Sequence, residues 1–471
     1  MSIPGAASPL FIGAAVAEEA GFQIDRSLRF NSGDSADLSK TFSSAGNRKT
    51  WTWSCWYKRS VLGTKNQRFF SCLTGSNDNT YLELRSFDND TICLSGYATN
   101  FRVTDAEIKD PSAWYHLVVA CDTTQSSNSD RVKLYINGVQ QTFKTEATIT
   151  QNADLGFNQA AAHKIGDAFD GYLAEIHFVD GTQLAASDFG EYDDNNNWNP
   201  KDCQSSLTYG TNGFYLKFAD NSSASNLGTD SSGNSNTWTV NNLSVASGSG
   251  NDSLIDTPTN YTATSGNNGG NYATFSPIDS HSSNTFANGN LEATNAGVAV
   301  FANLTMGFTS GKWYCEIEAD GGGAGSCMVG ICDLNQTHAN RAYGTPGGLY
   351  MYQGTGGLYS GGLGGSFSNG TYGSAYSDGD IIGIGLDMDN GNVRFYINGS
   401  DQGQANTSSL AGALVSPAVN NDTNSASFKL NTGQRPFVYT PPTGHKAICT
   451  TNFADPTIAD GSTAMDVVTY S

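Results

Sequence analysis

In the segment GKWYCEIEAD, Glu316, Glu318 and Asp320 stand at every second position. On an extended strand such side chains share a face, with neighbours about 7 Å apart. Two carboxylates so placed have the residue types for glycoside hydrolysis, which needs an acid and a base or nucleophile. The same alternation is what a solvated sheet face requires, and that is the expectation here. A second acidic group, Asp387-Met388-Asp389-Asn390-Gly391-Asn392, has the close oxygens and the glycine of a calcium turn. It lacks the bidentate glutamate of such a loop, because Asn398 stands twelfth, so a polar hairpin turn is expected. No G-x-S-x-G elbow, Walker loop or H-E-x-x-H is present, and the six histidines are scattered. The expectation is a protein that is not an enzyme and uses no metal or cofactor.

Tyrosine offers a different chemistry. The stretch GTPGGLYMYQGTGGLYSGGLGGSF, Gly344 to Phe367, has no lysine and no helical pattern after it, which argues against a phosphate cradle. Tyrosine on glycine-rich backbone suits recognition, since its ring brings apolar area and a hydroxyl at low entropic cost. Tyr343, Tyr350, Tyr352 and Tyr359 are therefore the candidate ligand contacts, by stacking on sugar rings or packing on a protein partner. Packing within their own domain or against another subunit is the competing expectation.

The elements that would carry these residues are legible from a repeat. VKLYING, Val132 to Gly138, returns as VRFYING, Val393 to Gly399. Read as strands, Val132, Leu134 and Ile136 share one face, as do Val393, Phe395 and Ile397. Asn-Gly then supplies the positive φ angles of a type I′ hairpin turn. An apolar strand ending in aspartate precedes each copy, WYHLVVACD and DIIGIGLD. One plan used twice is expected.

Composition agrees with an all-β chain. Of 471 residues, 54 are glycine and 14% are charged, against roughly 25% in typical soluble proteins, so Ser, Thr, Asn and Gly must cover much of the surface. A net charge of −20 argues against nucleic acid and anionic membrane surfaces as partners. The nine cysteines, at 55, 72, 93, 121, 203, 315, 327, 332 and 449, form no C-x-x-C and mostly sit in apolar strands, which predicts buried free thiols. At the N-terminus the apolar run Leu10 to Ala17 is too short to span a bilayer and has no basic residue before it. Neither membrane insertion nor secretion is expected; residues 1–25 read as a docking peptide, with Pro4, Pro9, Leu10, Phe11, Ile12 and Phe22 as its candidate contacts.

From RSLRF onward, the order WYHLVV, VKLYING and the strand G-Y-L-A-E-I-H-F before a short Ala/Ser/Asp turn resembles laminin-G-like, concanavalin A-like lectin domains, over Arg26 to Asn242. NGFYLKFAD and GTDSSGNSNTWTVNNLS resemble the closing strands of that domain in structural proteins of tailed bacteriophages, notably those of marine bacteria; SLRF and NRKTWTWS have the same look. GKWYCE, MVGICD and GDIIGIGLD with FYING resemble the SPRY domain over residues 273–450. Some concanavalin-like folds are glucanases with an E-x-D-x-x-E strand, from which EIEAD departs.

The resulting expectation is two concanavalin A-like jelly-roll sandwiches: docking peptide 1–25, laminin-G-like domain 26–245, a Ser/Asn/Gly-rich linker 246–272 with too little apolar content to bury surface, SPRY-like domain 273–450 and tail 451–471. The resemblance implies a virion protein, assembled in the host cytoplasm. It would be a tail fibre that joins other virion proteins through its N-terminus and binds a host glycan or receptor, as a homotrimer by analogy with the class. A capsid decoration or head fibre, and a polysaccharide depolymerase, are the alternatives.

Overall fold

The computed structural model describes residues 21–63, 66–295, 300–320, 327–337, 341, 348–361, 368–406, 409–421 and 426–453. Almost everything regular is antiparallel strand. Two compact units emerge, one of residues up to 246 with 250–261, the other of 247–249 with 262–453.

In the first unit, Thr50–Arg59 shows why these residues make a sandwich. Trp51, Trp53, Cys55 and Tyr57 alternate into the core between two sheets, where Trp53 stacks on Phe70 of the opposite sheet at 4.5 Å. The intervening side chains face outward, yet the strand is buried along nearly its whole length, because the segment after residue 181 lies over that face. Val118, Val179, Phe189, Cys203 and Tyr215 form a second, smaller apolar cluster there.

Strand order answers the question of the repeat. In the first unit one sheet runs Val139–Gln140, Val132–Ile136, Tyr115–Asp122, Thr50–Arg59, Gly171–Asp180, Ser27–Phe30. In the second the corresponding sheet runs Ser400–Gln404, Asn392–Ile397, Ile381–Asp387, Lys312–Asp320, Ala426–Asn431, Glu292–Asn295. Over these six strands the two orders match. Opposite lie an eight-stranded sheet in the first unit and a six-stranded one in the second.

Both hairpins also use one local device. Asn137 and Gly138 have φ of 47° and 79°, Asn398 and Gly399 49° and 80°, the two positive values a type I′ turn requires. The Asn137 side chain accepts the His116 N–H at 2.8 Å, and Asn398 that of Ile381 at 3.0 Å, so each turn is tied to the strand before it. An aromatic ring then closes on each glycine: a Cβ on Gly138 would lie 2.5 Å from Trp198, and one on Gly399 2.7 Å from Tyr439.

The segment 246–272 differs from expectation. Ser253–Leu254 pairs with Ser27–Phe30 as an edge strand, and Asp256 is fully buried. Its carboxylate lies 2.8 Å from Lys58 Nζ and accepts the Trp114 indole N–H at 3.0 Å, while Asp252 pairs with Arg29 at 2.8 Å. The first part of the expected linker is thus integral to the first sandwich. Low apolar content did not prevent burial, because backbone pairing and two acidic side chains meeting buried cations hold the segment in place.

The cysteine expectation holds: all nine are buried free thiols. Among the described residues no helix is long and apolar enough to cross a membrane.

Candidate functional site

The tyrosine candidates separate. Tyr343 lies outside the described residues. Tyr350 and Tyr352 are about 1% and 0% exposed, so neither is a ligand contact, which corrects the expectation. They sit on the strand Gly348–Gln353, paired on both sides, rather than on a loop. Tyr352 packs against Tyr372, Tyr376 and Phe395 and donates its hydroxyl hydrogen bond to the Ser374 carbonyl. Tyr359 is half-buried on the neighbouring strand Gly357–Ser360. The glycines that suggested a flexible loop flank a run, LYMYQ, whose continuous apolar residues are those of a strand buried on both faces. Of the docking candidates, Pro4, Pro9, Leu10, Phe11 and Ile12 lie outside the described residues, and Phe22 is half-buried at their beginning.

Glu316, Glu318 and Asp320 do share one face, but not one environment. Glu318 and Asp320 pair with Lys429 at 3.0 and 3.2 Å on a partly exposed surface. Glu316 is buried beneath residues 436–446, which cross the outward face of the sheet. Its two oxygens accept the backbone N–H groups of Val438 at 2.9 Å and Tyr439 at 2.8 Å. Burial pushes its carboxyl above the usual range, and these hydrogen bonds oppose the shift. The expected solvated face is thereby corrected for Glu316, whose charge serves to anchor a strap.

The turn Asp387–Asn392 closes a hairpin, as expected. Lys312 lies 2.8 Å from Asp387, Asn390 donates to the same carboxylate, and Asp389 accepts the Gly311 N–H. For Asp387 burial works against the charge, but the bonds from Lys312 and Asn390 outweigh it and hold the carboxyl below its ordinary value. Among the described residues no group of three or more His, Cys, Asp or Glu is arranged to hold a metal.

Two buried arrangements under the covering segment of the first unit look catalytic by distance alone. His116 Nε2 lies 2.8 Å from Ser54 Oγ. However, Trp198 donates its indole N–H to His116 Nδ1 at 3.0 Å, and since indole is only a donor, the ring proton must sit on Nε2. His116 therefore donates to Ser54 and is in the wrong tautomer to activate it. Burial pushes its pKa down to about 3. The second arrangement centres on His177, which contacts Tyr209, Cys203 and Glu175 at 2.9, 3.8 and 3.5 Å. Glu175 sits at a bulge with φ of 52°, which turns its carboxylate toward Tyr215. Desolvation disfavours the imidazolium, but Cys203 and Glu175 outweigh it and raise His177 to about 9. Both clusters are sealed from solvent and fasten the cover to the sheet.

The outward face of the eight-stranded sheet is only partly open: Ser71, Glu83, Arg85 and Ser95 are buried on it, and Leu73, Tyr97 and Lys164 are exposed. Leu38, Phe70, Leu82, Leu84 and Leu94 point into the core, so the residues between them point out. One cross-strand row reads Thr239, Ser39, Lys164, Ser71, Glu83, Ser95, Asn100, polar across seven strands. Arg68 and Arg85 reach Glu83 at 2.6 and 2.7 Å, Arg68 also meets Asp167 at 3.1 Å, and Lys164 meets Asp37 at 2.7 Å. Next to this row Leu73 pairs with Tyr81, and the Tyr97 ring meets Tyr81 edge to face at 5.7 Å. Sequence reading passed over this face, although the alternation Tyr81, Glu83, Arg85 in YLELRSF signals it.

Two family models match. Residues 30–187 match the concanavalin A-like lectin/glucanases superfamily, and residues 312–435 the SPRY domain. The chain carries a concanavalin A-like domain followed by a SPRY domain. Among solved structures, similarity extends to the SPRY domain of human HERC1, with 21% identity, a TM-score of 0.28 and coverage of 33% of this chain and 96% of that one. The PSpry domain of TRIM65 has 14% identity, a TM-score of 0.27 and coverage of 34% and 92%. Stonustoxin has 17% identity, a TM-score of 0.27 and coverage of 34% and 27%. Comparison with curated protein sequences gave no match. Both domains are of binding type.

Proposed function

We propose that this chain is a structural and binding protein of a tailed-phage virion, a tail fibre or similar appendage that works by recognition and not by catalysis. The observation that carries the reading is the tandem of two binding-type sandwiches built on one strand order. The phage-like look of SLRF, NGFYLKFAD and TWTVNNLS supports the setting. In this reading residues 1–25 attach the protein to other virion proteins, the sandwiches face the host surface, and the assembled form is a homotrimer. A capsid decoration would use the same parts. For the depolymerase alternative, Glu316 is poorly placed as an acid or base, because both its oxygens already hold the strap.

The test is competition for adsorption. Purified protein is titrated against infectious particles on host cells, with released reducing sugars assayed in the same tubes. Blocked adsorption without sugar release is the expected result. Sugar release would favour the depolymerase, and neither effect would favour a capsid decoration.

A further inference from the structure

In the first unit, one side chain of the segment that covers the sheet stands clear of the covering. Gly190–Tyr192 and Trp198–Pro200 form a short antiparallel pair in which Tyr192 lies opposite Trp198. Trp198 does the covering. Its ring is seated between two glycines, since a Cβ on Gly138 would lie 2.5 Å from it and one on Gly190 2.7 Å, and its N–H is given to His116 at 3.0 Å. Tyr192 sits outside this contact and is 50% exposed. It is nonetheless fixed at two points. Its ring meets Trp198 edge to face at 4.8 Å, and its hydroxyl donates to the Asn137 carbonyl at 3.0 Å. An aromatic side chain that is exposed yet already held loses little freedom on binding, and tyrosine is enriched among the anchors of protein interfaces.

The charge around Tyr192 selects the partner. Residues 182–202 carry Asp188, Glu191, Asp193, Asp194 and Asp202 against Lys201 alone. Lys201 reaches back to the Ser187 carbonyl, and Asp193 accepts the N–H groups of Asn195 and Asn197, which shapes the turn. Glu191 and Asp194 are exposed, and among the described residues neither has an ion pair or a side-chain hydrogen bond. Two residues of chain span at most about 7 Å, so both stand within about one screening length of Tyr192 at physiological salt. We infer that this hairpin is a docking surface for an arginine-bearing segment of a partner protein, with Tyr192 as the platform and Glu191 and Asp194 as the counter-charges. Guanidinium meets both demands, because it stacks on an aromatic ring and pairs with carboxylates through the N–H groups in its plane. Lysine brings the charge without the flat face. A neutral or acidic partner would cover the two carboxylates without pairing them, which works against association. The net charge of −20 also speeds the approach of a cationic partner. Neither the virion setting nor host binding is needed for this surface to act.

The test uses the full chain and a fluorescein-labelled peptide of alternating glycine and arginine, with lysine, citrulline and glutamate counterparts, followed by fluorescence anisotropy at about 0.15 M salt. The arginine peptide should bind and the lysine peptide should bind more weakly. The citrulline peptide, which keeps the shape without the charge, should not bind. Tyr192→Ala should weaken binding about fivefold or more. Glu191→Gln combined with Asp194→Asn should do the same and flatten the salt dependence; both positions are exposed, so this variant keeps the fold whatever Tyr192 contributes to it. Tyr192→Trp should retain binding. Tyr97→Ala provides the control, because Tyr97 is equally exposed, at 54%, after a strand of the opposite sheet. No binding of the arginine peptide, equal binding of the citrulline or glutamate peptide, or undiminished binding by Tyr192→Ala or by the double variant would each overturn the inference. Equal weakening by Tyr97→Ala would overturn it too, since the contact would then have no fixed place.

Discussion

Asp256→Ala should destabilise the first sandwich without touching the second. Lys58 and Asp256 are both fully buried and 2.8 Å apart, and removing one partner of a buried pair costs about 3–5 kcal/mol because the other charge is left uncompensated. The Trp114 N–H loses its acceptor as well, which places the cost toward the upper part of that range. For a unit of this size each kcal/mol lowers the midpoint by about 2–4 °C, so the shift should be on the order of 10 °C or more. Differential scanning calorimetry of the full chain checks this: one transition should move and the other stay. The double variant Lys58→Met with Asp256→Leu should recover most of the loss, since apolar replacement of a buried pair is often neutral or better. A shift below about 1 kcal/mol for Asp256→Ala would refute the reasoning. It would mean that residues 250–261 are a linker after all.

Other outcomes follow from the same geometry. Asn137→Ala and Asn398→Ala should each cost about 1–2 kcal/mol in their own unit, since each leaves a strand N–H unpaired and a positive φ without its preferred residue; urea unfolding followed for the separate transitions measures it. Glu316→Gln should destabilise the second unit by about 1–3 kcal/mol, because one amide oxygen cannot replace two acceptors, and sugar-release assays should give the same result with and without it. The first unit should be most stable near pH 6.5. His177 is raised to about 9 in the fold, so its contribution is complete below its unfolded value of about 6.5 and is lost as pH rises from there through 9. His116 is lowered to about 3, so the unfolded chain gains its proton first and stability falls as pH drops below about 6.5. Thermal midpoints across pH test this, and His177→Phe should abolish the alkaline limb.

The fold was legible because its signals are local. Alternation at i and i+2 named the strands around Leu134 and Phe395, and Asn-Gly named both turns. The second copy of the motif announced a second unit of the same plan. The site was less legible, since it depends on what lies above a face rather than on the strand itself. Tyr350 and Tyr352 lie on a strand buried on both faces, and Phe395 of another strand together with Tyr376 of a connecting segment seals Tyr352. Glycine frequency around them pointed to a loop where ladder pairing made a strand.

The sequence by itself determined the class, the two hairpins, the repeated plan and the side of each strand that is apolar, because these follow from backbone dihedrals and side-chain periods within a few residues. Only the tertiary structure decided the fate of the polar residues. Glu316 became a strap anchor because Val438, 122 residues away, brings its N–H to it. Asp256 became part of the first sandwich because Lys58, 198 residues earlier, is buried beside it. Arg68 and Arg85 came together around Glu83 through strand pairing. A buried charge is stable only beside its partner, and which partner arrives is settled by segments far apart in the chain.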